Sequence, residues 1–247
     1  ISALHSLAKT DTATAKQSLA KWIPGFNDEQ KKELTAILSG SLQGTTILLD
    51  LYNKKRISSK AFTFSAAERV YKADKTNNTA NAILAAVKKT GEDEKKAFET
   101  TLNRYMAIAE KKGGNAQKGK TLFQTCLMCH KVGDKGPGIA PALDGSAERD
   151  NKALLTAIID PDAAVESGYM LYRVTKKDNS VAEGYLFEKN DRGTTLAFMG
   201  GAKIFIEAKT IKSEGFLTGR SFMPRGLISG YTDAQVADLL AYIRTLK

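Results

Sequence analysis

Cysteine and histidine are scarce in this chain of 247 residues, which holds Cys 2 and His 2. A structural zinc site takes four ligands of these types, and the second histidine, His5, lies near the start of the chain, far from the single cysteine pair. Zinc is therefore starved of ligands. No run approaches the ~20 apolar residues of a membrane span, and no signal-peptide core is visible. Zinc fingers, an aromatic RNP-like cluster and a basic zipper are all missing, which leaves nucleic-acid binding without a motif. Asp74-Lys75-Thr76-Asn77-Asn78 has the acid spacing of a calcium loop but neither its glycine nor its closing glutamate, so it reads as a solvated turn.

Hydrophobic residues make up 42% and charged residues 26%, enough for a globular core in one large or two ordinary domains. Both cysteines fall in Cys126-Leu127-Met128-Cys129-His130. Two thiols three positions apart on one helical turn can both add to the vinyl groups of a haem, and the next residue offers an imidazole to the iron. A thioredoxin-like dithiol is the competing reading; it wants a βαβ context, whereas the residues before Cys126 read as helix. The pattern predicts a single covalently attached haem c and consumes both thiols.

From Ser2 to about residue 112 the periodicity is helical, with short polar breaks. Asn27 with Gln30 forms a capping box ahead of Leu34, Ile37, Leu38 and Leu42, and Ser65 with Glu68 repeats the device. Ala80, Ile83, Leu84 and Val87 make another stripe; Phe98, Leu102, Tyr105, Met106 and Ala109 line a longer helix that ends at Gly113-Gly114. Narrow stripes of this kind must be buried against neighbouring helices, as in an αα-repeat array, although no clean sequence period is present. The expectation is a helical-repeat-like domain over 1–113 and a second domain over 114–247.

The second domain opens with a helix capped by Asn115, carrying Gly119, Leu122 and Phe123 on one face. A helix capped by Thr232 and Gln235 closes it, with Val236, Leu239, Leu240 and Ile243 aligned; small Gly119 suits the crossing of the two. A further helix runs from about Lys152 and stops before Pro161. From Tyr169 to Ile211 the period becomes alternating, predicting an antiparallel sheet of about four strands as an insertion over roughly 166–213.

Two loops flank the proposed iron. Gly136-Pro137-Gly138-Ile139-Ala140-Pro141-Ala142-Leu143 follows His130, and a proline carbonyl there can accept the imidazole Nδ1–H, fixing its tautomer; Pro141 is the candidate, with Leu143 packing on the porphyrin. A stiff surface turn is the plainer reading of that loop. In Gly219-Arg220-Ser221-Phe222-Met223-Pro224, the thioether of Met223 is held on a short loop from which it can reach the sixth iron position, where soft sulfur favours the reduced state. Met106, Met128, Met170 and Met199 are its rivals, and most methionines are packing residues.

On these residues, together with Ile158-Ile159-Asp160-Pro161 and Leu239-Leu240-Ala241-Tyr242, the second half resembles class I c-type cytochromes. It is most similar to the bacterial haem-binding domains that carry a β insertion and follow HEAT-like helical repeats in exported proteins. The resemblance implies a mainly α chain: a HEAT-like domain, then a cytochrome c domain with a small antiparallel insertion. It implies electron transfer rather than enzymatic turnover, with redox partner proteins such as a sugar or alcohol dehydrogenase in the same protein or complex. His130 and Met223 would ligate the iron. Covalent haem attachment in bacteria takes place outside the cytoplasm, so a periplasmic or exported location is expected; a chain beginning at Ile1 is expected to be a processed product or fragment with an export signal upstream. The net charge of +10 and the runs Lys54-Lys55-Arg56 and Lys88-Lys89 would steer an acidic redox partner, or else form an ordinary lysine coat. The rival function is a haem enzyme or gas sensor with an open sixth site, peroxidase-like, which would need distal acid–base residues.

Overall fold

The computed structural model describes residues 11–247 except 112 and 167, so His5 lies outside the described residues. The chain divides into two compact units, residues 1–96 and 97–247.

In the first unit, helices α1 (Thr12–Trp22), α2 (Asp28–Leu38), α3 (Leu42–Asn53) and α4 (Phe64–Ala73) are followed by the start of α5 (Asn78–Glu110). The Asn27–Gln30 capping box is present and starts α2. Leu19, Leu34, Leu38, Ile47, Leu48, Val70 and Ile83 fill a continuous core. Two local readings of the sequence are corrected. Leu42 does not continue the α2 stripe: α2 stops at Leu38, and Leu42 opens α3 with 68% of its surface exposed. Ser65 does not cap α4 either; Thr63 does, accepting from the Ala66 amide, while Ser65 sits inside the helix and accepts from Arg69. Two hydroxyl residues two positions apart compete to start the helix, and the turn geometry selects the earlier one.

Helix α5 joins both expected apolar stripes in one element of 33 residues. Asn77 caps its start, accepting from the amides of Thr79 and Ala80, and Asp74 accepts from the Thr76 amide and hydroxyl in a local turn. Between the stripes, residues 88–97 are all exposed, and Gly91 alone, a cost of about 1 kcal/mol, does not break the helix. The division between the units falls inside α5, at Lys96 and Ala97, ahead of the Gly113-Gly114 boundary expected from sequence. Leu102 and Tyr105, past that division, are buried in the core of the second unit, where the Tyr105 hydroxyl donates to the Ile228 carbonyl at 3.3 Å.

That core is built by α6 (Ala116–Leu122), a 3₁₀ stretch (Phe123–Met128), α7 (Asn151–Ile159) and α8 (Asp233–Ile243) around Phe123, Leu154, Leu155, Val236, Leu239, Leu240 and Ile243. Asn115 caps α6, and the Thr232–Gln235 box caps α8. Helices α6 and α8 cross at Gly119, where a Cβ would stand 1.9 Å from the Asp238 carbonyl oxygen; only glycine permits this approach. Phe123 then packs on Tyr242 with ring centroids 5.1 Å apart, and its burial contributes about 2–3 kcal/mol.

The sheet has five strands rather than about four, in the order β4-β3-β2-β1-β5, all pairs antiparallel. These are β1 (Met170–Lys176), β2 (Val181–Asn190), β3 (Gly193–Ala197), β4 (Lys203–Glu207) and β5 (Ile211–Ser221). It therefore extends to Ser221, past the expected end near residue 213. Gly215 and Gly219 disguise β5 as a loop, but an edge strand paired only with β1 tolerates them. Tyr172, Val174, Leu196 and Ile206 form its own small core. Glu214 on β5 accepts from Thr194 on β3 at 2.6 Å and pairs with Lys189 on β2 at 2.8 Å, so the sheet curls until strands that are not ladder neighbours share a carboxylate.

Candidate functional site

The six residues singled out from sequence, Cys126, Cys129, His130, Pro141, Leu143 and Met223, line one cleft of about 350 Å³ in the second unit. Three segments bring them together. The 3₁₀ stretch after α6 carries Cys126 and is capped by Cys129, and its last turn closes with the amides of Cys129 and His130 donating to the Cys126 carbonyl, at 3.2 and 2.9 Å. The following loop folds back under that turn: the amides of Ile139 and Ala140 both donate to the Cys129 carbonyl, and the Leu143 amide to Lys131. This fold needs Gly136 at φ +94°, where any Cβ would lie 2.0 Å from the His130 carbonyl oxygen. The third segment is the end of β5, where the Phe222 amide donates to the Tyr169 carbonyl and the Met223 amide to the Ser221 hydroxyl at 3.1 Å.

His130 Nδ1 stands 2.7 Å from the Pro141 carbonyl oxygen. A carbonyl can only accept, so Nδ1 carries the proton and the Nε2 lone pair is left to coordinate a metal. Burial lowers the imidazole pKa, outweighing the Pro141 bond and the Glu166 charge, which both act to raise it; the ring is neutral near pH 7. Pro137, the other proline of the loop, instead packs near Gly201.

Cys126 and Cys129 are not joined in a disulfide. Burial pushes the Cys126 thiol up to about 11 and raises Cys129 as well. A reactive dithiol or a thiolate metal site depends on the opposite shift. Among the described residues no group of three or more His, Cys, Asp or Glu side chains is placed to hold a metal ion, which leaves the zinc reading without support. A donor set of two neutral thiols, one imidazole of fixed tautomer and one thioether along an apolar cleft fits a covalently held haem: two attachment points, with one nitrogen and one sulfur ligand available.

Sequence reasoning overlooked several residues at this site. Tyr169 lines the cleft and stacks on Tyr185 at 5.9 Å, and Tyr185 in turn meets Phe222 at 6.2 Å. Arg149 and Glu166 also line the cleft. Asp162 reaches the Met223 loop from 59 residues away, accepting the Ser221 amide. In the sequence its neighbour Pro161 reads only as a helix stop, and no short-range pattern couples Asp162 to that loop.

Among the described residues no helix is long and apolar enough to cross a membrane. No curated protein matches the chain. Residues 116–203 match the family model described as Cytochrome c, a stretch that includes the cysteine pair and His130 but not Met223; it marks a cytochrome c domain, and with it covalently bound haem c, for which Cys126 and Cys129 fit the CxxCH attachment pattern.

Proposed function

We propose that this chain is a single-haem electron-transfer module of the class I type, with Cys126 and Cys129 as thioether anchors and His130 and Met223 as the axial ligands. The observation that carries the reading is the convergence of the imidazole, its nitrogen tied to the Pro141 carbonyl, and the Met223 loop on one cleft. Bound there, the iron would cycle between ferric and ferrous states. The protein's own part is to hold the imidazole tautomer through Pro141, to supply soft sulfur from Met223 and to cover the porphyrin with Leu143. With His130 and Met223 both committed to a bound haem, no coordination position would be left for a substrate. We further read the helical unit as HEAT-like, the location as the bacterial cell envelope, and the electron donor as a partner or fused dehydrogenase acting on sugars or alcohols. The surplus of 37 Lys and Arg over 27 Asp and Glu supports docking of an acidic redox partner.

The test is a visible spectrum in both oxidation states. Oxidised protein is expected to show the weak far-red charge-transfer band of methionine bound to ferric iron, and Met223→Ala to abolish it. A band that survives the substitution removes Met223 as ligand. Rapid binding of carbon monoxide or cyanide to untreated protein would favour an open-site enzyme or sensor instead.

A further inference from the structure

We propose that Asp162 is the positioning residue of the Met223 loop: one carboxylate grips the chain on both sides of the thioether and so keeps it presented to the cleft. The inference rests on the reading of Met223 as axial ligand, and adds to it the device that holds the ligand in place.

The geometry is that of a staple. Asp162 Oδ1 accepts the Ser221 amide at 2.7 Å. Its Oδ2 accepts from Arg225 Nε at 3.1 Å and lies 3.5 Å from Arg220 Nε. Arg220 and Ser221 precede the arc Phe222-Met223-Pro224 and Arg225 follows it, so both ends of the arc are fastened to one side chain. Asp160 reinforces the far end: its buried Oδ1 has the Arg225 guanidinium, at 2.6 Å, as its partner. The near end is relayed onward, because Ser221, held by Asp162, accepts the Met223 amide on its hydroxyl. Asp162 itself is fixed by Pro161, which is buried and lines the cleft at the end of α7.

Exposed ion pairs contribute little, and Arg225 is 59% exposed. The Asp162 side chain, however, is only 16% exposed, and an amide donating to a shielded carboxylate is among the stronger hydrogen bonds. Most of the hold therefore lies in the Ser221 bond, with the arginines completing it. Without the carboxylate, the arc keeps the Phe222–Tyr169 backbone bond and the stiffness of Pro224, and its far end is left with the Arg225–Asp160 pair alone.

The experiment compares holoprotein carrying Asp162→Ala, Asp162→Asn, Arg225→Gln or Met223→Ala with wild type. Loss of a hydrogen bond to a charged group shifts an equilibrium by roughly tenfold to a hundredfold. In Asp162→Ala the methionine-off population is expected to rise by that factor, seen as a weakened far-red band, a lowered reduction potential and faster carbon monoxide binding by the ferrous protein. Asp162→Asn, which keeps an oxygen for the Ser221 amide, should fall between Asp162→Ala and wild type, and Arg225→Gln should show the smallest change. Amide exchange at Ser221 and Met223 in the reduced holoprotein should accelerate in the same order. If wild type lacks the band, or Met223→Ala retains it, the underlying assignment of the ligand fails. If Met223→Ala removes the band while the Asp162 variants match wild type in band, potential and carbon monoxide rate, Asp162 has no positioning role. Should Asp162→Ala not fold, Asp162→Asn and Arg225→Gln carry the same decision.

Discussion

Adding one methyl group at Gly119 and one at Gly91 should move stability in opposite directions. At Gly119 the new Cβ would meet the Asp238 carbonyl oxygen at 1.9 Å, its carbon at 2.6 Å and the Tyr242 Cβ at 2.9 Å. Two of these three atoms are backbone, so no rotamer change relieves the clash, and α6 and α8 must part by about 1 Å. A gap of that size forfeits about a quarter to a half of the dispersion energy at the contact, including that of Phe123 against Tyr242. Overpacking costs typically 1–3 kcal/mol, and a backbone clash belongs at the upper end: about 3 kcal/mol. For a unit of this size the melting temperature falls by about 6–12 °C. At Gly91, on the exposed middle of α5, a Cβ meets nothing within 4 Å. There the substitution gains about 1 kcal/mol of helix propensity. Thermal unfolding separates the two effects, because Trp22, the sole tryptophan, reports on the first unit and haem absorbance on the second. The reasoning fails if Gly119→Ala is within about 0.5 kcal/mol of wild type, or if both variants shift in the same direction.

Three further outcomes can be checked directly. Arg244 donates to the carbonyls of Ala147 and Arg149 at 2.6 and 2.7 Å and to the Asn151 side chain, joining the end of α8 to the start of α7. Arg244→Met should cost about 2–3 kcal/mol in urea unfolding, and Arg244→Lys should recover less than half, because an ammonium cannot reproduce the planar fork. Burial acts to raise the Glu214 pKa, yet Lys189 and Thr194 outweigh it and the net shift is downward. Its contribution is therefore complete above the ordinary carboxylate value of 4.5 and is lost as pH falls through the lower folded value. The sheet should loosen in that acid window, and Glu214→Gln should weaken it at neutral pH while flattening the acid response, as read by amide exchange on β3 and β5. The mass of the mature protein should exceed that of the bare chain by one haem; Cys126→Ser with Cys129→Ser should return it to the bare value.

What the sequence disclosed was set by range. Haem attachment is legible because its two thiols and imidazole are adjacent in the chain, and the caps at Asn27, Asn115 and Thr232 are legible because a cap involves residues three apart. The close helix crossing could be inferred from Gly119 because a missing side chain on an apolar face has few other uses. Competition among neighbouring hydroxyls hid the true cap at Thr63, and glycines hid β5. Likewise, nothing local joins Asp162 to Ser221, or Glu214 to Thr194. Those contacts exist only once the sheet has curled and its last strand has returned to the cleft.

The first and last residues of the sheet are paired with each other, Met170 with Ser221, and the next residues outward, Tyr169 and Phe222, share a backbone hydrogen bond. The insertion thus leaves and re-enters the haem domain through one stem, and it touches that domain again where Gly201, in the β3–β4 turn, meets Pro137 of the loop after His130. Lengthening the two turns that lie away from that contact, at Asp178-Asn179 and at Asp191-Arg192, would leave both the stem and the Gly201–Pro137 contact in place. Those two turns could therefore be reshaped without disturbing the loop that follows His130.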